Sequence, residues 1–415
     1  MTAARIPRLR DGVMKRGRTW SYVIRVKDHE TGVSKPRWVS GFATEEEAKA
    51  ARDEARVKAR RGDYIDRSRI TVAEYLDEWM ESHAMQIRPR TLSDYRNCIR
   101  LYVKPRIGHL RLQAVRSSTI TKLYRDLLTS GGQHGKPLAV ATVIHLHAVL
   151  RKAFHDAAVV EGLIERNPAE RAKRPRFHAS EPGTVWTPAQ LRTFLAQARS
   201  HRLFAFFHLA AYTGARRGEL LNLRWTDIDL DGKQITITGS TAVVGGQRIN
   251  GTTKSGRTRT ISIDEETVTV LRQHRQAQAA ERKRLGEAWR GQANGYVFTS
   301  GWGDPMYPDT VTTLMAKIIK AHNERPGTPP LPHARLHDLR HIHATTLLLA
   351  GVPVHVVAAR LGHADPSVTL RVYAHVIRTA EAAAADVFAK AIQARPAGRV
   401  SKSVSKPGRR KKGRR

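Results

Sequence analysis

Trp20, Tyr22, Ile24 and Val26 alternate with Ser21, Val23, Arg25 and Lys27, the period-two pattern of a strand with one buried face. A second strand is expected around Arg37 to Phe42, beyond a turn at Thr31-Gly32. Thr44-Glu45-Glu46-Glu47 then has the form of a capping box, Thr44 at the N-cap and Glu47 at the third helical position. The helix it opens should run to Arg61 and stop at Gly62. These elements predict a small α+β domain, a basic sheet backed by a helix. Arg25, Lys27 and Arg37 on its strands are candidate contacts to a polyanion.

From about Ile70 to Pro168 the period lengthens to that of a helix. Val72, Tyr75, Leu76 and Trp79 form one apolar stripe, and Val143, Leu146, Val149, Leu150 and Phe154 form another. Breaks expected at Pro89, Lys104-Pro105 and Gly131-Gly132 divide the region into about four helices, an all-α domain. Arg88, Arg90, Arg96 and Arg100 gather near its first break. Arg171 to Thr184, with Lys173-Arg174-Pro175-Arg176 and Pro182-Gly183, suits a linker. A third, mainly helical α+β domain follows, and beyond Ala394 only Ser, Lys, Arg, Gly, Pro, Ala and Val remain, the composition of a disordered basic tail. The expected divisions are residues 1–66, 67–170, 171–184, 185–394 and 395–415.

Length agrees with this division, because 415 residues exceed what one hydrophobic core organises. Charge narrows the function. Lys and Arg number 72 against 37 Asp and Glu, a formal net charge of +35, so the chain seeks a polyanion, with nucleic acid the usual one. No stretch approaches the roughly 20 apolar residues of a membrane span, and no apolar run follows the charged MTAARIPRLR. A cytoplasmic protein is expected, with no membrane partner. Cys98, the one cysteine, excludes an internal disulfide framework and reads as a small core residue.

Four segments of the third domain carry candidate chemistry. In Thr213-Gly214-Ala215-Arg216-Arg217-Gly218-Glu219-Leu220, Leu220 and Leu223 anchor a helix whose start presents Arg216, with Glu219 three positions on to pair with and orient it. Two strands, around Gln234 to Thr238 and Thr258 to Ile263, are joined by a Gly-rich turn that carries Lys254, with Lys233 a poorer candidate nearby. In Leu336-His337-Asp338-Leu339-Arg340-His341, residues three apart on a helix let His337 and Arg340 converge on one phosphate. His337 and His341 also have the spacing of a zincin helix, but Asp338 stands where a glutamate is needed and Arg340 between the ligands opposes a cation. No metal site is therefore assigned. In Leu361-Gly362-His363-Ala364-Asp365-Pro366, Gly362 ends one helix, Asp365 and Pro366 open the next, and Tyr373 lies two turns into it.

Taken together, Arg216, Lys254, His337, Arg340, His363 and Tyr373 occur in the order and at the intervals of the tyrosine site-specific recombinases, and the chain resembles that family's phage-integrase branch. The likeness spans about Val185 to Ile392, while the amino-terminal sheet resembles an arm-type DNA-binding domain and the helical region a core-binding domain. The resemblance implies that Tyr373 attacks a DNA phosphate, that Arg216, Arg340 and His363 bind it, that His337 takes the phenol proton, and that Lys254 protonates the leaving 5′-oxygen. It implies no cofactor. It further implies attachment-site duplex DNA as substrate, a homotetramer on that DNA, and an excisionase and a host DNA-bending protein as accessory partners; in the family a segment like the helix from about Thr379 to Ile392 docks on a neighbouring protomer, and packing against its own domain is the alternative. A type IB topoisomerase shares this chemistry, but the amino-terminal domains favour a recombinase. A DNA-binding regulator would not require Tyr373 and both arginines.

Overall fold

The computed structural model describes residues 12–27, 32–176, 186–253, 256–292, 295–363, 365–367, 369–370, 388–389 and 392. The chain divides into two compact units, Met1–Ser180 and Glu181–Arg415. The expected linker from residue 177 onward, the tail, and most of the predicted helix from Thr379 lie outside the described residues.

The first unit has two separate cores. Strands β1 (Val13–Arg16), β2 (Thr19–Lys27) and β3 (Ser34–Phe42) form an antiparallel sheet in that order. Tyr22, Ile24 and Val39 point inward against Ala48 and Ala55 of α1 (Glu45–Arg61), and the small alanines let helix and sheet approach closely. The capping box forms as the sequence predicts, Glu47 N donating to Thr44 Oγ1 at 3.2 Å, and Gly62 ends α1 at φ 82°. Strand β1 was not expected, because four residues, VMKR, are too short to show alternation. The predicted turn residue Thr31 lies outside the described residues.

The second core is helical: α2 (Val72–His83), α3 (Pro89–Cys98), α4 (Lys104–Ile107), α5 (Ser117–Ser130) and α6 (Val140–His155). Tyr75, Leu76, Trp79, Leu123, Leu150 and Phe154 fill it, and the two polar tips inside find partners. Tyr75 Oη donates to Ala153 O at 2.8 Å and Trp79 Nε1 to Asp156 Oδ2 at 2.9 Å. Cys98 is buried here. The break expected at Lys104-Pro105 is not one: a π-helical turn, Ile99–Val103, carries α3 into α4, and Pro105 falls in the first turn of α4, where no amide donor is required.

The second unit holds α7 (Pro188–Ala198), α8 (Phe204–Thr213), α9 (Arg217–Asn222), β4 (Ile228–Asp229), β5 (Gln234–Ile237), β6 (Gly239–Val244), β7 (Gln247–Thr252), β8 (Arg259–Ser262), α10 (Glu265–Leu285), α11 (Pro308–Asn323), α12 (Asp338–Leu349) and α13 (Val354–Leu361). α8 is apolar almost all round and is buried on nearly every side, so it forms the axis of the domain. Phe206 stands edge-on to both Phe207 and Phe298, with ring centroids 5.6 and 5.2 Å apart. Strands β4, β5 and β8 make one sheet in the order β4-β5-β8. The link between β5 and β8, read from sequence as a turn, contains a second hairpin, β6 paired with β7. That hairpin lies on α9: a Cβ on Gly218 would come within 2.4 Å of Thr241 O, so only glycine permits the contact. Among the described residues no helix is long and apolar enough to cross a membrane.

Because Phe206 is fully buried, Phe206→Ala is expected to lose about 3–5 kcal/mol of stability, measured by urea denaturation; a loss below about 1 kcal/mol would contradict this packing.

Candidate active site

The first arginine is placed by the end of the axial helix. α8 closes at Gly214 with φ 62°, and Thr213 Oγ1 reinforces the turn by accepting from Ala215 N at 3.2 Å. A side chain on Gly214 would lie 2.7 Å from Leu361 Cδ2 and 2.9 Å from His343 Cδ2, so glycine lets α12 and α13 press against this turn. Arg216 is the N-cap of α9. Glu219 reaches back to it, accepting from Arg216 N at 2.8 Å through Oε2 and from Arg216 Nη1 at 2.8 Å through Oε1. The pairing expected between these residues is therefore present.

Glu219 is 1% exposed and has a second partner that the sequence did not suggest. Arg259 of β8 donates to it bidentately, Nη2 to Oε2 at 2.6 Å and Nη1 to Oε1 at 3.2 Å. Burial works to raise the Glu219 carboxyl, but the bonds and charge of Arg259, followed by those of Arg216, outweigh it and hold the group below the usual carboxylate range. A signal for Arg259 exists in hindsight: it lies two residues from buried Ile261, on the inward face of β8.

Arg340, in the first turn of α12, is 3% exposed. Its Nη1 donates to Gly214 O at 2.8 Å, and its Nη2 to Leu361 O at 2.8 Å and to His363 Nε2 at 2.9 Å. Arginine has no acceptor, so His363 Nε2 accepts, and the ring proton belongs on Nδ1, where it donates to Thr369 Oγ1 at 2.7 Å. Thr369, fully buried, was not singled out from sequence. His337, expected on the helix with Arg340, sits at the N-cap of α12, one residue before the helix begins, with its ring edge-on to His341 at 5.0 Å. Asp338 is occupied by Arg335, accepting from its backbone N at 2.7 Å and its Nη2 at 3.2 Å. Among the described residues no cluster of three or more metal-ligating side chains occurs.

The imidazoles carry the electrostatic signature of the site. His337 is lowered to about 4 by burial first, then by His341, Arg340 and Arg216. His363 is lowered to about 4 by burial and by Arg340, Arg216 and Arg259. A third ring, His343, also falls to about 4 through burial and Arg360, whose Nε donates to it at 3.1 Å. Both site rings are neutral at pH 7 in a field of positive charge.

The structure thus brings Arg216, Glu219, His337, Arg340 and His363 into one electrostatically coupled cluster. Lys254 and Tyr373 lie outside the described residues. On either side of Lys254 the turn is closed by Thr253 Oγ1 donating to Arg257 O at 2.7 Å. Ahead of Tyr373, Asp365 Oδ1 accepts from Ser367 N at 2.8 Å, the expected N-cap bond. The candidate DNA contacts all belong to the first unit. Arg25 donates to Ser34 O at 2.8 Å, Lys27 is exposed, and Arg37 pairs with Asp66 at 2.8 Å. Arg88 caps α3, Arg90 pairs with Asp94 at 3.3 Å, Arg96 lies in the last turn of α3, and Arg100 donates to Asn97 Oδ1 at 3.3 Å in the π-helical turn.

Two arginines and two neutral imidazoles held together in this way suit the binding of an anionic group such as a phosphate. Family models match three stretches: the phage integrase family over residues 185–379, its N-terminal SAM-like domain over 71–128, and an arm DNA-binding domain over 13–59. The chain belongs to the phage integrase family of tyrosine recombinases. It is 29% identical over 352 residues to a tyrosine recombinase XerC-like protein of Caldanaerobacter subterraneus subsp. tengcongensis, covering 80% of this chain and 86% of that one. It is 26% identical to the ICEBs1 integrase of Bacillus subtilis, covering 80% and 85%. Among solved structures, the Tn1549 transposon integrase in complex with transposon right end DNA matches with a TM-score of 0.65 at 20% identity, over 77% of this chain and 99% of that one.

Two outcomes follow from the imidazoles. Two-bond 1H–15N spectra of the free protein at pH 7 are expected to show His363 neutral and protonated on Nδ1; an Nε2–H ring would contradict the Arg340 contact. Stability should also fall on acidification. Below pH 6.5 the unfolded histidines take up protons that the folded rings refuse until about 4, so the melting temperature is expected to drop across that window and to begin doing so before carboxylates titrate; no change between pH 7 and 5 would show that the rings are not held neutral.

Proposed function

We propose that this protein is a site-specific DNA recombinase that integrates a phage or integrative mobile element and assists its excision. The observation that supports this reading above others is the convergence of Arg216, Arg340, His337 and His363 with both rings neutral and both guanidinium groups fixed. A phosphodiester repels nucleophiles through its own charge, and rigid donors aimed at its non-bridging oxygens stabilise the further charge of the transition state.

In this reading Tyr373 Oη attacks phosphorus and its proton passes to His337, an imidazole with a free pair because it is neutral. The P–O5′ bond breaks, and Lys254 protonates the departing 5′-oxygen. The 3′-phosphotyrosyl ester keeps the energy of the broken bond, so a 5′-hydroxyl from a partner strand reverses the step with neither nucleotide nor metal ion. Arg216 and Arg340 hold the phosphate, His363 holds Arg340 through Nε2 and Glu219 holds Arg216, and the basic first unit grips flanking DNA through Arg25, Lys27, Arg37, Arg88, Arg90, Arg96 and Arg100. Four protomers assemble on two attachment sites, an excisionase and a host DNA-bending protein set direction, and the protein works on cytoplasmic DNA at the nucleoid.

Wild type and Tyr373→Phe, incubated in EDTA with labelled nicked duplexes from the DNA flanking the gene, test the reading. Wild type alone is expected to form a denaturant-stable adduct. Tight binding by both without any adduct would overturn the reading in favour of a DNA-binding regulator.

A further inference from the structure

The guanidinium of Arg259 joins Glu219 to the end of α13. Its two Nη atoms hold Glu219, and through Glu219 they hold Arg216. Its Nε donates to Arg360 O at 3.1 Å. Arg360 O and the next carbonyl, Leu361 O, end α13, where helical carbonyls have no intrahelical donor. Arg259 takes the first and Arg340 the second, at 2.8 Å. These two bonds fix the turn that presents His363. They also account for Gly362: a Cβ there would stand 2.7 Å from Arg259 Nη1, so a side chain would displace the guanidinium.

We propose that Arg259 is a positioning residue for strand cleavage, acting through Glu219 on Arg216 and through the end of α13 on His363. The proposal rests on the recombinase reading above. Arg259 itself does not bind DNA in this account: its side chain is 12% exposed and its donors face protein acceptors. Lysine keeps the charge but offers one compact donor group, which cannot serve both carboxylate oxygens and the Arg360 carbonyl in this geometry. Loss of the fork frees Arg216 and His363 to shift by a fraction of an ångström, and misplacement of about 1 Å at a catalytic group costs on the order of a hundredfold in rate.

The experiment measures single-turnover adduct formation on a nicked attachment-site duplex, together with DNA affinity and its salt slope. The proteins compared are wild type, Arg259→Lys, Glu219→Gln and the double variant, each first checked for a wild-type circular dichroism spectrum. Arg259→Lys is expected to slow adduct formation about a hundredfold with affinity and salt slope unchanged. The double variant is expected to be slower than Glu219→Gln alone but by clearly less than the product of the two single effects, because the residues share the route through Glu219 while the route through Arg360 O is Arg259's own. If Arg259→Lys does not fold, Arg259→Gln, which retains a planar amide donor, takes its place in the cycle. An unaltered rate, fully additive effects, or a salt slope reduced by about one, as for a lost phosphate contact, overturns the proposal while leaving the recombinase reading intact. Absence of an adduct with wild type removes the recombinase reading, and the proposal falls with it.

Discussion

The catalytic unit is organised around one buried carboxylate. Glu219 is almost inaccessible, and an unpaired carboxylate in that position would cost several kcal/mol or lose its charge. It stays ionised because two guanidinium groups share it, one from the start of its own helix and one from β8. Breaking such a group by removing one partner is severe, so the turn before α9 and the strand β8 are committed to each other. That commitment explains why a six-residue helix, far too short to be stable alone, can present Arg216 in a fixed place.

The same logic runs through the rest of the site. Helix ends leave carbonyls without donors, and here arginines supply them: Arg340 serves Gly214 O beyond α8 and Leu361 O at the end of α13, while Arg360 serves Tyr212 O near the end of α8 and also Ser262 O at the end of β8. The pairs joined are separated by up to 148 residues in sequence. Glycines at 214 and 362 admit the close approach that these bonds require. Burial of Arg340 and Arg360 is thereby compensated, and the guanidinium groups are locked before any DNA arrives.

How much of this was legible depended on whether the signal was local. Capping boxes at Thr44 and Thr187, the stop at Gly62 and Gly362, and the stripe through Tyr75, Leu76 and Trp79 follow from short-range stereochemistry, and the capping box at Thr44 and both glycine stops were read directly. The pairing of Glu219 with Arg216 was legible because three residues on a helix set it. Arg259 was missed because its partner Glu219 lies 40 residues away and only the fold brings them together, and Thr369 because its bond to His363, six residues back, spans a helix end and follows no i,i+3 or i,i+4 rule. The β6–β7 hairpin was hidden for a different reason: its strands carry Gly239 and Gly251, which weaken any strand pattern, and its value lies in packing on α9. At Lys104-Pro105 the rule for proline failed because a π-helical turn absorbed the missing donor.

The electrostatics of the cluster carry one further step. Burial depresses His363 and His337 first, and positive charge adds to it, from Arg340, Arg216 and Arg259 at His363 and from Arg340 and Arg216 at His337, so the field at the site is positive, opposed by Asp338 at His337 and balanced by Glu219 at Arg216 and Arg259. A phosphodiester entering that field is the missing countercharge. Its arrival favours protonation of the same rings, so binding of the anion and acceptance of a proton reinforce each other. In the proposed reading, a ring held neutral in the free protein becomes a stronger base when the scissile phosphate is in place, and nucleophile activation is thereby confined to the DNA-bound state. In that reading the arrangement that makes His337 reluctant to charge in isolation is the one that makes it responsive to substrate.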